Sequence, residues 1–199
     1  MSRAEFLKEI RSAMKNEEIA KLDFSGWPLC DEYLIELGRV CALWAGLESF
    51  LNICIGKLAG FNDLSDPKPF ILITHSSFPQ RLDMLATLCE QLVSEFPSLN
   101  DYKGVVGTLK AAQRLRNTFS HHGMSLNEET GWVEMPVGSA RGSLKVTVEK
   151  ISIADIRRAT IAIDEAQTAL YKLVLQKDLQ PAWRRLAAKS RSDDEPSNN

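Results

Sequence analysis

An arginine, an asparagine and a histidine lie close together near the end of one predicted helix. Arg116 and Asn117 are adjacent, and His121 follows four residues later. A guanidinium matches the oxygens of a phosphate and stays charged, and an imidazole exchanges a proton near neutral pH. His121 falls in the last helical turn, where the carbonyl end of the helix stabilises an imidazolium. These residues could bind a phosphate and transfer a proton to it.

The same helix carries a polar stripe. Lys110, Arg114, Asn117 and His121 are separated by steps of four, three and four, so they share one face. Two cations, an amide and an imidazole on one face could bind phosphate, and an ordinary solvated face would have the same composition. His122 adjoins His121 but points to another side.

Two charged residues interrupt apolar stripes. Glu48 replaces an apolar residue in the first long predicted helix, and Arg116 does so in the third. A buried charge without a partner is costly, so we expect the Glu48 carboxylate to hold the Arg116 guanidinium. Such a pair could position a catalytic arginine or only align two helices.

The spacing of Arg116 and His121 is awkward for a single chain. Five residues on an ideal helix lie roughly 140° apart, on different faces. We therefore expect either that the helix end unwinds or that a second subunit completes the site.

The elements that must position these residues are amphipathic helices. Apolar residues recur every three or four positions, which predicts long helices at residues 31–59, 78–96, 101–122 and 153–177. A charged helix is predicted at 3–21, an extended run at 70–73, a β-hairpin at 131–150 and a disordered tail at 190–199. The predicted fold is all-α, a bundle of four to five helices with a hairpin inserted before the last long helix. Residues 1–189 would form one domain.

The predicted core combines apolar residues from all four long helices. Its members are Trp44, Leu51, Leu85, Leu109, Phe119, Ile163 and Leu170.

The composition of the chain argues against several classes of function. The net charge of -2 and the pI near 6.0 argue against a protein that coats duplex DNA, so any nucleic-acid contact must be a local patch. The four cysteines and three histidines lack the spacing of a metal site, and we predict no metal and no cofactor. The start of the chain has no apolar signal core, and no stretch is apolar enough to span a bilayer. A cytoplasmic location without membrane attachment is expected.

The late-helix motif resembles that of HEPN domains. In this family an arginine precedes a histidine by a few residues near the end of a bundle helix, and Asn directly after Arg is common in its ribonucleases. Arg116-Asn117-x-x-x-His121 is similar to that form. The resemblance covers about residues 30–177 and leaves the N-terminal segment, the hairpin and the tail unexplained.

The resemblance implies a metal-independent endoribonuclease that leaves a 2′,3′-cyclic phosphate. His121 would transfer protons, Arg116 would stabilise charge on the phosphate, Asn117 would orient the phosphate or the imidazole, and Glu48 would hold Arg116. Lys110, Arg114 and His122 would help to bind RNA. It also implies a homodimer that brings two copies of His121 together, and a toxin or phage-defence role with an antitoxin or other protein partner.

Two other interpretations remain open. The chain could be a non-catalytic helical module of the same fold that binds RNA or another protein. It could also be an unrelated bundle in which Arg116 and Glu48 are structural.

Overall fold

The computed structural model describes residues 28–61, 63, 66–139, 145–181 and 184. Within them the chain is mainly α-helical with a small antiparallel sheet. The helices are α1 (Asp31–Leu58), α2 (Lys68–Ile73), α3 (Phe78–Leu92), α4 (Tyr102–His121) and α5 (Ile153–Leu175). The strands are β1 (Ser125–Asn127), β2 (Trp132–Ser139) and β3 (Lys145–Ile151). The predicted helix at 3–21 and the predicted tail at 190–199 lie outside the described residues.

Local signals set the ends of the helices. Ser77 and Ser152 cap α3 and α5, and each takes part in a capping box with the residue three positions later. The last helical residue of α4 is His121, and His122 is already extended. The motif therefore lies at an exposed helix end.

The extended run predicted at residues 70–73 is wrong, because these residues belong to helix α2. Pro67, Lys68 and Pro69 start this helix, and proline is well tolerated in a first turn. Pro69 packs against Gly56 of α1, where an added Cβ would lie only 2.8 Å from the Pro69 Cβ. Four apolar residues are too few for periodicity to separate helix from strand.

Contacts between side chains define the directions of the long helices. Glu36 in the second turn of α1 contacts Arg157 in the second turn of α5, and Phe50 stacks on Tyr171 further along both helices. These two helices therefore run in the same direction. Gln176 after the end of α5 donates a hydrogen bond to Ser98 before the start of α4, so α4 runs the opposite way.

The predicted core is confirmed, since all seven of its residues are buried. They are Trp44, Leu51, Leu85, Leu109, Phe119, Ile163 and Leu170. In the part of the chain described, no helix is long and apolar enough to cross a membrane.

The predicted hairpin is part of a three-stranded sheet in the order β1-β2-β3. The short strand β1 was not predicted. Val133, Met135 and Ile151 are buried and join the helical core, so the sheet packs on the helices through one face. The sheet follows α4 directly and places its first strand beside the end of the candidate site.

Candidate active site

The guanidinium of Arg116 lies over the ring of Trp44. Its central carbon lies 5.4 Å from the centre of the Trp44 ring, a favourable cation–π distance. Trp44 is buried and packs against Phe78, with ring centroids 4.5 Å apart. Helices α1 and α3 thus supply a rigid surface for an arginine that comes from α4.

Arg116 and His121 meet within one chain. The Nη1 atom of Arg116 donates a 3.1 Å hydrogen bond to Oδ1 of Asn117 and lies 3.4 Å from Nε2 of His121. The expectation that helix spacing keeps them apart is wrong, because the long arginine side chain reaches along α4 to its end. Helix α4 remains helical through His121, so no unwinding is needed.

The two histidines make their contacts through different ring nitrogens. An arginine can only donate, so Nε2 of His121 must accept in its contact with Arg116. The Nδ1 atom of His122 lies 2.9 Å from the Thr118 carbonyl oxygen, which can only accept. His122 therefore carries a proton on Nδ1, and in its neutral form the lone pair is on Nε2. Both neutral rings thus carry the proton on Nδ1 and the lone pair on Nε2, and the lone pair of His121 can take a proton only when the Arg116 guanidinium turns to a phosphate.

The predicted pairing of Glu48 with Arg116 is wrong. The Glu48 carboxylate lies 3.7 Å from Nη1 of Arg81, and its side chain keeps 32% of its surface exposed. Arg81 also donates to the Ser76 carbonyl at 3.0 Å and to Asn52 Oδ1 at 3.4 Å. Arg81 comes from the first turn of α3, beside Glu48, whereas Arg116 turns toward the end of α4. Glu48 therefore anchors α3 to α1 and does not hold the candidate catalytic arginine.

The polar stripe of α4 faces outward. Lys110, Arg114 and His121 are exposed, and Asn117 is half-buried. No carboxylate among the described residues forms an ion pair with Lys110 or Arg114. Their positive charge is thus available to an anion on the same face of α4 as His121.

Among the described residues the most buried charge is Glu36, which was not singled out from the sequence. Glu36 is only 2% exposed and accepts hydrogen bonds of 2.7 Å from both Arg39 and Arg157. Burial alone would raise the pKa of this carboxyl, but the hydrogen bonds from Arg157 and Arg39 outweigh it and hold the pKa below its usual value. The signal was present, because Glu36 begins the buried series that continues through Val40 and Trp44. Its contacts join α1 to α5 and indicate a structural role.

Metal clusters and cavities elsewhere in the described residues are the alternatives to this site. The described residues contain no group of three His, Cys, Asp or Glu side chains that could hold a metal ion. An apolar cavity of about 590 Å³ between α1, α2 and α3 is lined by residues such as Ile55, Leu72 and Met84. It shares no residue with the Arg116–His121 cluster, which remains the arrangement best suited to chemistry.

Comparisons of the chain with models of protein families, with curated proteins and with solved structures gave no match.

Proposed function

We propose that this chain is a metal-independent endoribonuclease built on a helical bundle of the HEPN type. The observation that carries the proposal is the 3.4 Å approach of Arg116 Nη1 to His121 Nε2, with Asn117 bonded to the same guanidinium. One phosphate could contact all three side chains at the open end of α4.

The reaction uses the substrate's own nucleophile. The 2′-hydroxyl loses its proton to one imidazole, and its oxygen attacks the adjacent phosphorus. The bond from phosphorus to the 5′-oxygen then breaks, and that oxygen gains a proton from a second histidine in its imidazolium form. The products are a 2′,3′-cyclic phosphate and a 5′-hydroxyl. Arg116 stabilises the charge that develops on the phosphoryl oxygens, and Asn117 orients the phosphate.

The second imidazole has two possible sources. His122 of the same chain has Nε2 available, since its Nδ1 atom faces a carbonyl oxygen. A homodimer could instead bring a second copy of His121 into the same cleft. Arg116 and His121 already meet in one chain, so a shared cleft would be needed only to supply the second histidine.

Purified protein incubated with single-stranded RNA and a chelator tests the proposal. We expect cleavage with 2′,3′-cyclic phosphate ends, a loss of at least about 100-fold in rate for His121→Ala, and a loss of both rate and binding for Arg116→Ala. His75→Ala, which removes an exposed imidazole from the loop before α3, is the matched control and should keep full activity. Full activity in His121→Ala would rule the mechanism out.

Binding measurements separate catalysis from simple RNA recognition. Lys110→Ala and Arg114→Ala should weaken RNA binding and reduce its dependence on salt, as expected for phosphate contacts. RNA binding that depends on these residues, without cleavage by the unmodified chain, would favour the non-catalytic module. Cleavage that requires a divalent ion would indicate another enzyme class.

Mixed dimers decide where the second imidazole comes from. Subunits carrying His121→Ala are combined with unmodified subunits, and activity is measured per intact site. Loss of more than half of the activity per intact site indicates a cleft shared between two chains, and an unchanged activity per intact site indicates that each chain acts alone.

The proposed biological role can be tested in bacteria. A cytoplasmic toxin or phage-defence ribonuclease, restrained by an antitoxin or another protein, should slow bacterial growth when expressed alone. His121→Ala should relieve that effect at equal protein level.

A further inference from the structure

Within the described residues, strand β3 is an edge of the sheet. It is hydrogen-bonded only to β2 among the described elements, and residues 145–150 are all exposed. The opposite edge is different, because the Leu126 amide of β1 donates to the Pro28 carbonyl oxygen. An edge strand offers unpaired backbone donors and acceptors to another strand. The edge of β3 is therefore the place where the sheet can grow.

The outer side of this edge is apolar. Val146 and Val148 are 59% and 60% exposed. In the register of the sheet, they lie opposite Gly138 and Pro136 of β2 and so share the solvent face. Two valines this exposed on an edge strand would favour aggregation unless another strand paired with that edge.

The sequence of β3 is complementary to itself in one register. A two-fold axis through Thr147, perpendicular to the sheet, places Val146 opposite Val148 of the partner subunit. The same axis places Lys145 opposite Glu149 of the partner subunit, and symmetry repeats both pairs. Opposite charges and β-branched pairs directly across an antiparallel ladder are stabilising.

Neighbouring registers lack this match. An axis through Val148 sets Val146 opposite Lys150 of the partner subunit, and an axis through Glu149 sets two carboxylates face to face. Directly opposed residues of two paired strands have their side chains on the same side of the sheet. An axis between two residues would pair side chains from opposite sides, so such registers are excluded. Only the axis through Thr147 forms ion pairs from the charges of β3.

We propose that β3 pairs antiparallel with β3 of a second copy about a two-fold axis at Thr147, and so forms a continuous six-stranded sheet. The two β1 strands would then lie roughly 24 Å apart, which is five strand spacings of about 4.8 Å. Because each α4 leads directly into β1, every Arg116–His121 pair would belong to its own site. This interface goes beyond the proposed ribonuclease function and does not depend on it.

Charge exchange tests the register. Lys145→Glu and Glu149→Lys each replace two attractive pairs by two repulsive ones, so each should weaken the dimer at least about fivefold in sedimentation equilibrium. The double variant K145E/E149K restores both pairs and should return the dissociation constant to within about twofold of the unmodified protein. Lys150→Glu is the matched control, because it makes the same charge change on β3 outside the predicted ion pairs.

A cysteine at the axis gives a second readout. T147C should form a disulfide between subunits, since directly opposed residues lie within disulfide distance. V146C should not, because it faces Val148 of the partner subunit. Both variants are made in a chain with the exposed Cys30 and Cys41 replaced by serine. An unmodified protein that stays monomeric, or a dimer that neither exchange weakens, would overturn the proposal, and neither readout requires nuclease activity.

Discussion

The Nη1 atom of Arg116 lies 3.4 Å from Nε2 of His121, although the two residues differ by five positions on one continuous helix. The contact is possible because Arg116 lies against Trp44 and extends toward the end of α4. The contact thus brings a guanidinium and an imidazole together within one chain.

This contact predicts the protonation pattern of His121. Because Arg116 only donates, the neutral imidazole should carry its proton on Nδ1 and present Nε2 to the guanidinium. Nitrogen-detected NMR of labelled protein should report that tautomer. Arg116→Met should release the ring and change its nitrogen shifts, whereas Glu48→Gln should leave them unchanged because Glu48 pairs with Arg81. Shifts that respond to Glu48 but not to Arg116 would contradict the geometry.

Glu36 should make the free energy of unfolding depend on pH. Its pKa is lowered in the folded chain, so its contribution to the free energy of unfolding is full above the ordinary pKa of a glutamate. That contribution is lost as the pH falls through its lowered value. We expect Glu36→Gln to reduce the free energy of unfolding by about 1–3 kcal/mol near neutral pH.

Urea unfolding from about pH 7 to about pH 3 measures this effect. The gap between Glu36→Gln and the unmodified protein should shrink toward the acid end. Glu90→Gln, an exposed carboxyl on α3, serves as the control and should change little at any pH. A constant gap across the range would show that the pKa of Glu36 does not differ between the folded and unfolded chain.

Truncation of Leu109 should strongly lower the free energy of unfolding. This residue is fully buried between α4 and its neighbours, so Leu109→Ala removes buried methyl groups and leaves a cavity. We expect a loss of about 2–5 kcal/mol in the free energy of unfolding. Leu115→Ala, on the same helix but 36% exposed, should cost much less. Equal costs at the two positions would show that the register of α4 is wrong.

The four cysteines should separate into two reactive classes. Cys30 and Cys41 are exposed, whereas Cys54 and Cys89 are buried. Burial raises the pKa of the Cys54 thiol far above its usual range and that of Cys89 to about 11. Because the thiolate is the reactive form, a thiol reagent at mildly alkaline pH should modify two sites quickly. The other two should react only in denaturant, and four fast sites would refute the packing of α1 on α3.

Local patterns predicted the long helices and the buried faces of α4 and α5. The stripes of these two helices repeat over about five turns, so the inner side follows from spacing alone. In α1 the buried face includes Glu36 and Val40, whereas Cys41 of the predicted stripe is exposed. The cap of α5 is also local, because the Ser152 hydroxyl accepts from the Asp155 amide in the first turn of the same helix. Shorter signals were not sufficient, as α2 and β1 show with six and three residues.

The sequence by itself determined the motif, its place at the end of α4 and the helices that carry it, because these depend on residues near in the chain. Only the tertiary structure decided the partners. Glu48 pairs with Arg81 because α3 packs beside α1, and Glu36 is buried because Arg157 reaches it from α5. Arg116 reaches His121 across Trp44, a ring that α1 supplies. Which side chains meet depends on how the helices pack. Helix periodicity predicts the face on which a residue lies, but it does not predict which residue of a neighbouring helix lies opposite.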